Sequence, residues 1–236
     1  MLKKISLSNF KSFKIMEDLE LSDLTIIVGK NSCGKSSILQ SLLLLKQTLE
    51  SQSKVPLCME GKYLKFSNLK EIAFGLPPMN TAQIGYKFNI ELDGLAADLE
   101  LNFKNKRVNG EYKVEVSKRQ ITNADTSLNA EKFFLLGLTK SRLSEALVEK
   151  FGGTEIFKNI KSFHVEYDGF APEYISVELP LKSIGLDSRK YRVPVAMVAE
   201  LEYKFGAALN KFLKNIKYLS HTRASPQRAY THLALS

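Results

Sequence analysis

The chain has 236 residues, 44% of them hydrophobic, so it is long and apolar enough to bury a core, and wholesale disorder is excluded. Its 34 Lys and Arg outnumber 25 Asp and Glu for a net charge of +9, a surplus that favours encounter with phosphate-rich partners. No run approaches the roughly 18 apolar residues of a membrane span. The N-terminus alternates like a strand instead of forming an apolar targeting segment, and Cys33 and Cys58 are the two cysteines, so the expectation is a soluble, cytoplasmic chain without a disulfide framework.

Residues 2–10 place Leu2, Ile5, Leu7 and Phe10 among lysines and serines, and a second extended piece follows at 13–21, which predicts two paired strands. Residues 24–28, Leu-Thr-Ile-Ile-Val, form a short apolar, β-branched run that reads as a strand buried on both faces. The period then changes: from 35 to 50, Ile38, Leu39, Leu42, Leu43, Leu44, Leu45 and Leu49 cover more than half of a helix surface. Strands at 84–92, 97–103 and 111–116, separated by Asp93-Gly94 and Asn109-Gly110, predict an antiparallel sheet. A helix is expected over 127–151, closed by Gly152-Gly153, and alternation resumes at 163–167 and 174–179 around Asp168-Gly169. Pro194 opens a predicted helix running to Leu213, and residues 216–219 read as a strand returning to the core.

The densest chemical signal is Gly29-Lys30-Asn31-Ser32-Cys33-Gly34-Lys35-Ser36, which satisfies G-x-x-x-x-G-K-[ST] between a predicted strand and a predicted helix. Such a loop needs glycine because its backbone must curl so that successive N–H groups and the helix N-terminus point at anionic oxygens. Lys35 then supplies a point charge to the β and γ phosphates, and Ser36 offers its hydroxyl to Mg²⁺, with Ser37 continuing the loop into the helix. The reading is ATP with Mg²⁺ at Gly29 through Ser37. Cys33 sits near a helix N-terminus, which can activate a thiol; the plainer reading is a small side chain tolerated at a variable position.

Asn9-Phe10-Lys11-Ser12-Phe13 followed by this loop resembles the opening of ABC-type ATPase heads of the SMC, RecF and OLD kind. Within that group, the phrase from Asn31 through Ser36, Ser37-Ile38-Leu39-Gln40-Ser41 and on to Gln47 resembles bacterial AAA-type, OLD-like ATPases of anti-phage defence systems. The later Tyr218-Leu219-Ser220-His221-Thr222-Arg223-Ala224-Ser225-Pro226-Gln227-Arg228 is similar to an Arg-Pro-Arg element of those proteins. The resemblance implies an α/β P-loop NTPase core with a parallel sheet, carrying an inserted antiparallel β and helical section. The division is 1–75 for the P-loop core, 76–190 for the insertion, and 191–236 for a helix and strand returning to the core. It also implies that Lys11 and Ser12 lie near bound nucleotide, and that Arg223 and Arg228 touch phosphate, nucleic acid or a neighbouring head, where otherwise they form ordinary loop ion pairs. Gln47 falls too soon after the loop to serve as a Q-loop glutamine.

Hydrolysis in this class requires an apolar strand ending in paired carboxylates and a signature loop from across a dimer interface. Neither is evident in the sequence: Val198-Ala199-Glu200 and Val165-Glu166-Tyr167-Asp168 have the wrong order or lack the pair. The catalytic carboxylates are therefore unassigned, and a truncated ATPase or a short subunit completed by a homodimer mate or another protein are both consistent with the sequence. Lys104, Lys106, Arg107, Lys113, Lys118 and Arg119 cluster around one predicted hairpin with Phe103 and Tyr112 interleaved. That cluster either tracks DNA or RNA or is the solvated face of an amphipathic hairpin. His164, His221 and His232 are too scattered for a metal site. The alternatives to a defence ATPase are a DNA-repair ATPase of the RecF type and a non-catalytic module that uses ATP to fix its shape.

Overall fold

The computed structural model describes residues 1–53, 55–123, 140–151, 160–181, 186–195 and 200–219. Its elements in order are β1 (Leu2–Phe10), β2 (Phe13–Glu20), α1 (Lys35–Glu50), α2 (Leu69–Ile72), β3 (Gln83–Leu92), β4 (Leu95–Val108), β5 (Glu111–Asn123), α3 (Lys140–Phe151), β6 (Ser162–Asp168), β7 (Ala171–Leu181), β8 (Leu186–Pro194) and α4 (Glu200–Asn215).

A five-stranded sheet has the order β2-β1-β3-β4-β5, and β6-β7-β8 form a second sheet of three strands. Every pairing among these strands is antiparallel. The turn signals between β3, β4 and β5 behave as two-residue hairpin loops require, with φ of 52° and 80° at Asp93-Gly94 and 51° and 88° at Asn109-Gly110. Because side chains alternate across a sheet, Ile84, Tyr86, Phe88 and Ile90 share one face with Ala97, Leu99, Leu101 and Phe103, and all are buried. Leu2, Ile5, Leu7 and Phe10 of β1 join them, beneath Leu44 and Leu45 of α1 and Phe205, Leu209 and Leu213 of α4. The opposite face is polar, carrying ion pairs such as Lys87 with Asp98 and Lys118 with Glu100. Residues from both the 1–75 and the 76–190 sections of the sequence therefore build one sheet.

The smaller sheet has its own core, in which Ile175, Val177, Leu179, Val193 and Val195 pack with Leu143 and Leu147 of α3. Phe170, in the β6–β7 turn, reaches the main core and meets Phe103 edge-on at 6.3 Å. Gly169, with φ +59°, makes that turn beside Thr48 at the C-terminal end of α1.

Several sequence expectations are corrected. Residues 24–28 form no strand, and Leu24, Ile26 and Val28 are 78%, 74% and 83% exposed. A strand buried on both faces needs neighbours on both edges, and none of the described strands runs beside this segment. The parallel sheet expected around it is accordingly absent from the described residues. Pro194 is the last residue of β8, opposite Tyr174, and Val195 directly after it is helical; 196–199 lie outside the described residues, and α4 spans Glu200–Asn215. Residues 216–219 lie in coil, with Leu219 91% exposed. Of the helix expected over 127–151, Lys140–Phe151 is helical and 127–139 lie outside the described residues. β8 itself had no counterpart in the sequence reading.

Candidate nucleotide site

The loop that follows residues 24–28 is shaped by Gly34. Its φ of +99° is one that a side-chain-bearing residue adopts only with strain, and a Cβ there would lie 2.6 Å from Cζ of Phe13. Gly34 is also the N-cap of α1, with no side-chain cap, and its carbonyl accepts from the amides of Ser37 and Ile38 at 2.9 and 3.3 Å. The N-cap thus has no side chain to occupy the helix N-terminus, and the first turn holds no carboxylate, the arrangement an incoming anion requires. Lys35 folds back over the loop: its Nζ donates to the carbonyls of Gly29 and Lys30, each at 2.7 Å, and approaches Sγ of Cys33 at 3.9 Å. Cys33 is exposed.

The loop opens on a cavity of about 700 Å³ lined by Asn31, Ser32, Gly34, Lys35, Ser36 and Ser37 on one side. The β1–β2 turn brings in Lys11 and Ser12, and Oγ of Ser12 lies 3.4 Å from Oγ of Ser37. Lys11 has φ of +48°, and its Nζ donates to Oε1 of Gln40 at 2.6 Å while sitting 4.6 Å above the Phe66 ring. Burial pushes its ammonium below the ordinary lysine value, with the Glu71 carboxylate pulling the other way. Both residues tied to the nucleotide by resemblance are therefore at the cavity.

The opposite wall is one the sequence reading missed: Glu71, Ala73, Gly75 and Leu76. It is held against the β1–β2 turn by two backbone bonds, Lys11 N–H to Ile72 O at 2.7 Å and Phe74 N–H to Asn9 O at 2.9 Å. Its helix α2 starts at Asn68, whose Oδ1 accepts from the Glu71 amide at 3.3 Å, while Oε2 of Glu71 accepts from the Ser67 amide at 2.8 Å. A helix-start signal was present in Asn68-Leu69-Lys70-Glu71, an N-cap residue with glutamate three positions on. Nothing in that signal says which cavity the turn will face. Glu71 is the one carboxylate among the described residues lining the cavity.

Donor set and shape together fit a polyphosphate and its cation: lysine, serine hydroxyls and a glycine that a Cβ would displace surround an open hollow. Gln47 is bound into the fold: its Nε2 donates to Cys58 O at 2.6 Å and its Oε1 accepts from the Leu64 amide at 2.9 Å. Val165-Asp168 belongs to the β6–β7 hairpin, and Glu200 starts α4, with Val198 and Ala199 outside the described residues.

The remaining candidates lie elsewhere. Lys104, Lys106 and Arg107 are on β4 at its distal end. Arg119 is a correction: it faces the core, 2% exposed, and donates from Nη1 to Phe170 O at 3.3 Å. It therefore contributes nothing to a basic surface. Arg223 and Arg228, with His221 and His232, lie outside the described residues. His164 is exposed, 3.8 Å from a Glu166 oxygen, and no cluster of metal-ligating side chains occurs among the described residues. No helix among them is long and apolar enough to cross a membrane.

A stretch of 84 residues, 33% of this chain, is 36% identical to the DNA replication and repair protein RecF of Lactococcus lactis subsp. cremoris (strain SK11), and covers 23% of that protein's length. The AAA ATPase domain family matches residues 1–222, which include the glycine loop, both walls of the cavity and both sheets. With nearly the whole chain matched, the protein belongs to the AAA ATPase domain family.

Proposed function

We propose that this chain is the ATP·Mg²⁺-binding lobe of an ABC-type ATPase of the SMC, RecF and OLD kind. The observation that carries the reading is the joining of the Gly29 to Ser36 loop with Lys11 and Ser12 around one cavity. In it the loop amides and Lys35 would hold the phosphates, and Ser36 would offer its hydroxyl to Mg²⁺, which would supply charge neutralisation there. Lys11 leaves Gln40 for phosphate or ribose, and Ser12 and Ser37 supply hydroxyls beside it.

Turnover is proposed to need carboxylates and a signature loop supplied either by further sequence of the same protein or by a homodimer mate or partner subunit, because among the described residues Glu71 stands alone at the cavity and already accepts a backbone bond. The test is calorimetric titration of ATP with Mg²⁺ into the purified chain. Wild type is expected to bind, Lys35→Ala to lose at least tenfold in affinity, and neither to hydrolyse at a normal rate alone. Equal binding by both proteins would sink the reading.

The setting proposed is bacterial anti-phage defence in the cytoplasm, supported by the resemblance of residues 31–47 and 218–228. A RecF-type repair ATPase is the second reading, favoured by the 84-residue similarity. ATP-stimulated binding to DNA gaps or ends would select the second. Tight binding without turnover in the complete assembly would instead select a nucleotide-gated interaction module.

A further inference from the structure

The β4–β5 hairpin outruns the sheet. β3 begins at Gln83 opposite Lys104, and β4 continues through Val108, so about 14 Å of ribbon projects past the sheet's end. β1 reaches Phe10 at this same end, since Ser8 pairs with Gly85, so the tip projects from the end of the sheet that carries the β1–β2 turn and the nucleotide cavity.

Charge is distributed unevenly along the ribbon. Near the sheet's centre each lysine has its own carboxylate, Lys87 with Asp98 and Lys118 with Glu100. At the tip, Glu115 alone serves both Lys104 and Lys106, at 3.4 and 3.3 Å. Lys113 stands directly across the ladder from Lys106, a like-charge pairing that weakens a hairpin unless an anion screens it. Among the described residues no carboxylate lies within ion-pair range of Lys113 or Arg107. On the reverse face Arg107 pairs across the ladder with Tyr112, 39% exposed, which offers a ring and a guanidinium.

The tip is also tied to the cavity. Asn105, 7% exposed at the base of the projection, donates from Nδ2 to Met79 O at 2.8 Å, and its amide donates to Ala82 O at 3.2 Å. The segment so held, residues 73–82, begins as the cavity wall at Ala73, Gly75 and Leu76. The cavity wall and the base of the hairpin are thus joined by one segment of chain.

We infer that the β4–β5 tip is a contact surface for the phosphate backbone of a nucleic acid, with Lys106 and Lys113 as the paired cations. We further infer that segment 73–82 links its affinity to the nucleotide cavity. The link, though not the surface, rests on the ATP-binding reading. Backbone contact of this kind is sequence-independent and salt-sensitive.

The test uses the full chain and a fluorescein-labelled 30-nucleotide strand, alone and as duplex, followed by anisotropy, with ATP affinity and thermal melting measured alongside. Wild type is expected to bind. The Lys106→Gln, Lys113→Gln double variant is expected to bind about tenfold more weakly at low salt, its log–log salt slope shallower by about 2, with melting and ATP affinity unchanged. Matching wild-type and variant affinities, or no salt dependence, overturns the surface while leaving the ATP reading intact. Saturating ATP is expected to shift wild-type oligonucleotide affinity at least about threefold and to change hydrogen exchange at residues 79–82. Oligonucleotide affinity indifferent to ATP in a protein that demonstrably binds ATP overturns the link.

Discussion

The two walls of the nucleotide cavity are built in different ways. One, from Asn31 to Ser37, is a single stretch of chain whose shape follows largely from its own residues: glycine at position 34, where φ is +99°, a tight turn at Ser32 with φ +63°, and lysine and serine where charge and hydroxyl are needed. The other, Glu71 to Leu76, has no comparable internal logic. It is a four-residue helix and the turn after it, positioned by backbone bonds to Lys11 and Asn9 more than 60 positions earlier. A wall whose geometry is local announces itself in sequence; a wall held by tertiary bonds does not.

If that contrast is right, damage to the first wall should be severe and damage to the second graded. The largest effect is expected for Gly34→Ala. It combines a left-handed backbone, costing about 1–2 kcal/mol for an L-residue, with a collision against Phe13. Nucleotide binding should fall below detection by calorimetry, and Phe13→Leu in the same chain should restore only part of it, since the backbone strain remains. Lys35→Ala comes next. Loss of a charge-assisted contact of about 1.5–3 kcal/mol corresponds to roughly ten- to hundredfold in Kd for ATP.

Asn68→Ala probes the second wall. Removing an N-cap costs about 1 kcal/mol, so α2 should loosen and ATP affinity should drop less than tenfold, with melting lowered slightly. An effect as large as that of Lys35→Ala would show that the two walls are equally stringent. The smallest effect concerns Lys11, whose folded-state pKa burial holds below its ordinary value of 10.5. The folded protein releases this proton before the unfolded chain does, so the contribution of Lys11 to stability rises as pH climbs through the folded value towards 10.5. Lys11→Met should abolish that rise, seen as a difference between wild-type and variant urea midpoints that narrows at alkaline pH.

Legibility in the sequence followed the same division. α1 was readable to its ends because a leucine-rich run starts at the glycine loop and its period is local. The hairpins were readable because Asp93-Gly94 and Asn109-Gly110 take two consecutive positive φ values, although β4 and β5 run longer than their apolar alternation suggested. Residues 24–28 misled for a physical reason: apolar, β-branched composition states what a segment would pair with, not whether a partner lies beside it. Arg119 misled in the opposite sense. Its place among lysines suggested a surface, yet a register shift between Asn102 and Phe103 precedes its pairing with Leu101, on the face that packs inward. Near it, Gly206 of α4 is so close that a Cβ would stand 2.7 Å from its Nη2.

The segment 24–28 has a consequence for handling the protein. Three large apolar side chains stand exposed on a coil segment whose amides belong to no strand ladder among the described residues. Such a stretch is colloidally sticky: it offers open hydrogen-bonding groups and greasy surface together, the combination that seeds strand-to-strand clumping. Turbidity that climbs with protein concentration, and eases when Ile26 is replaced by lysine, would be the bench signature of that exposed ribbon.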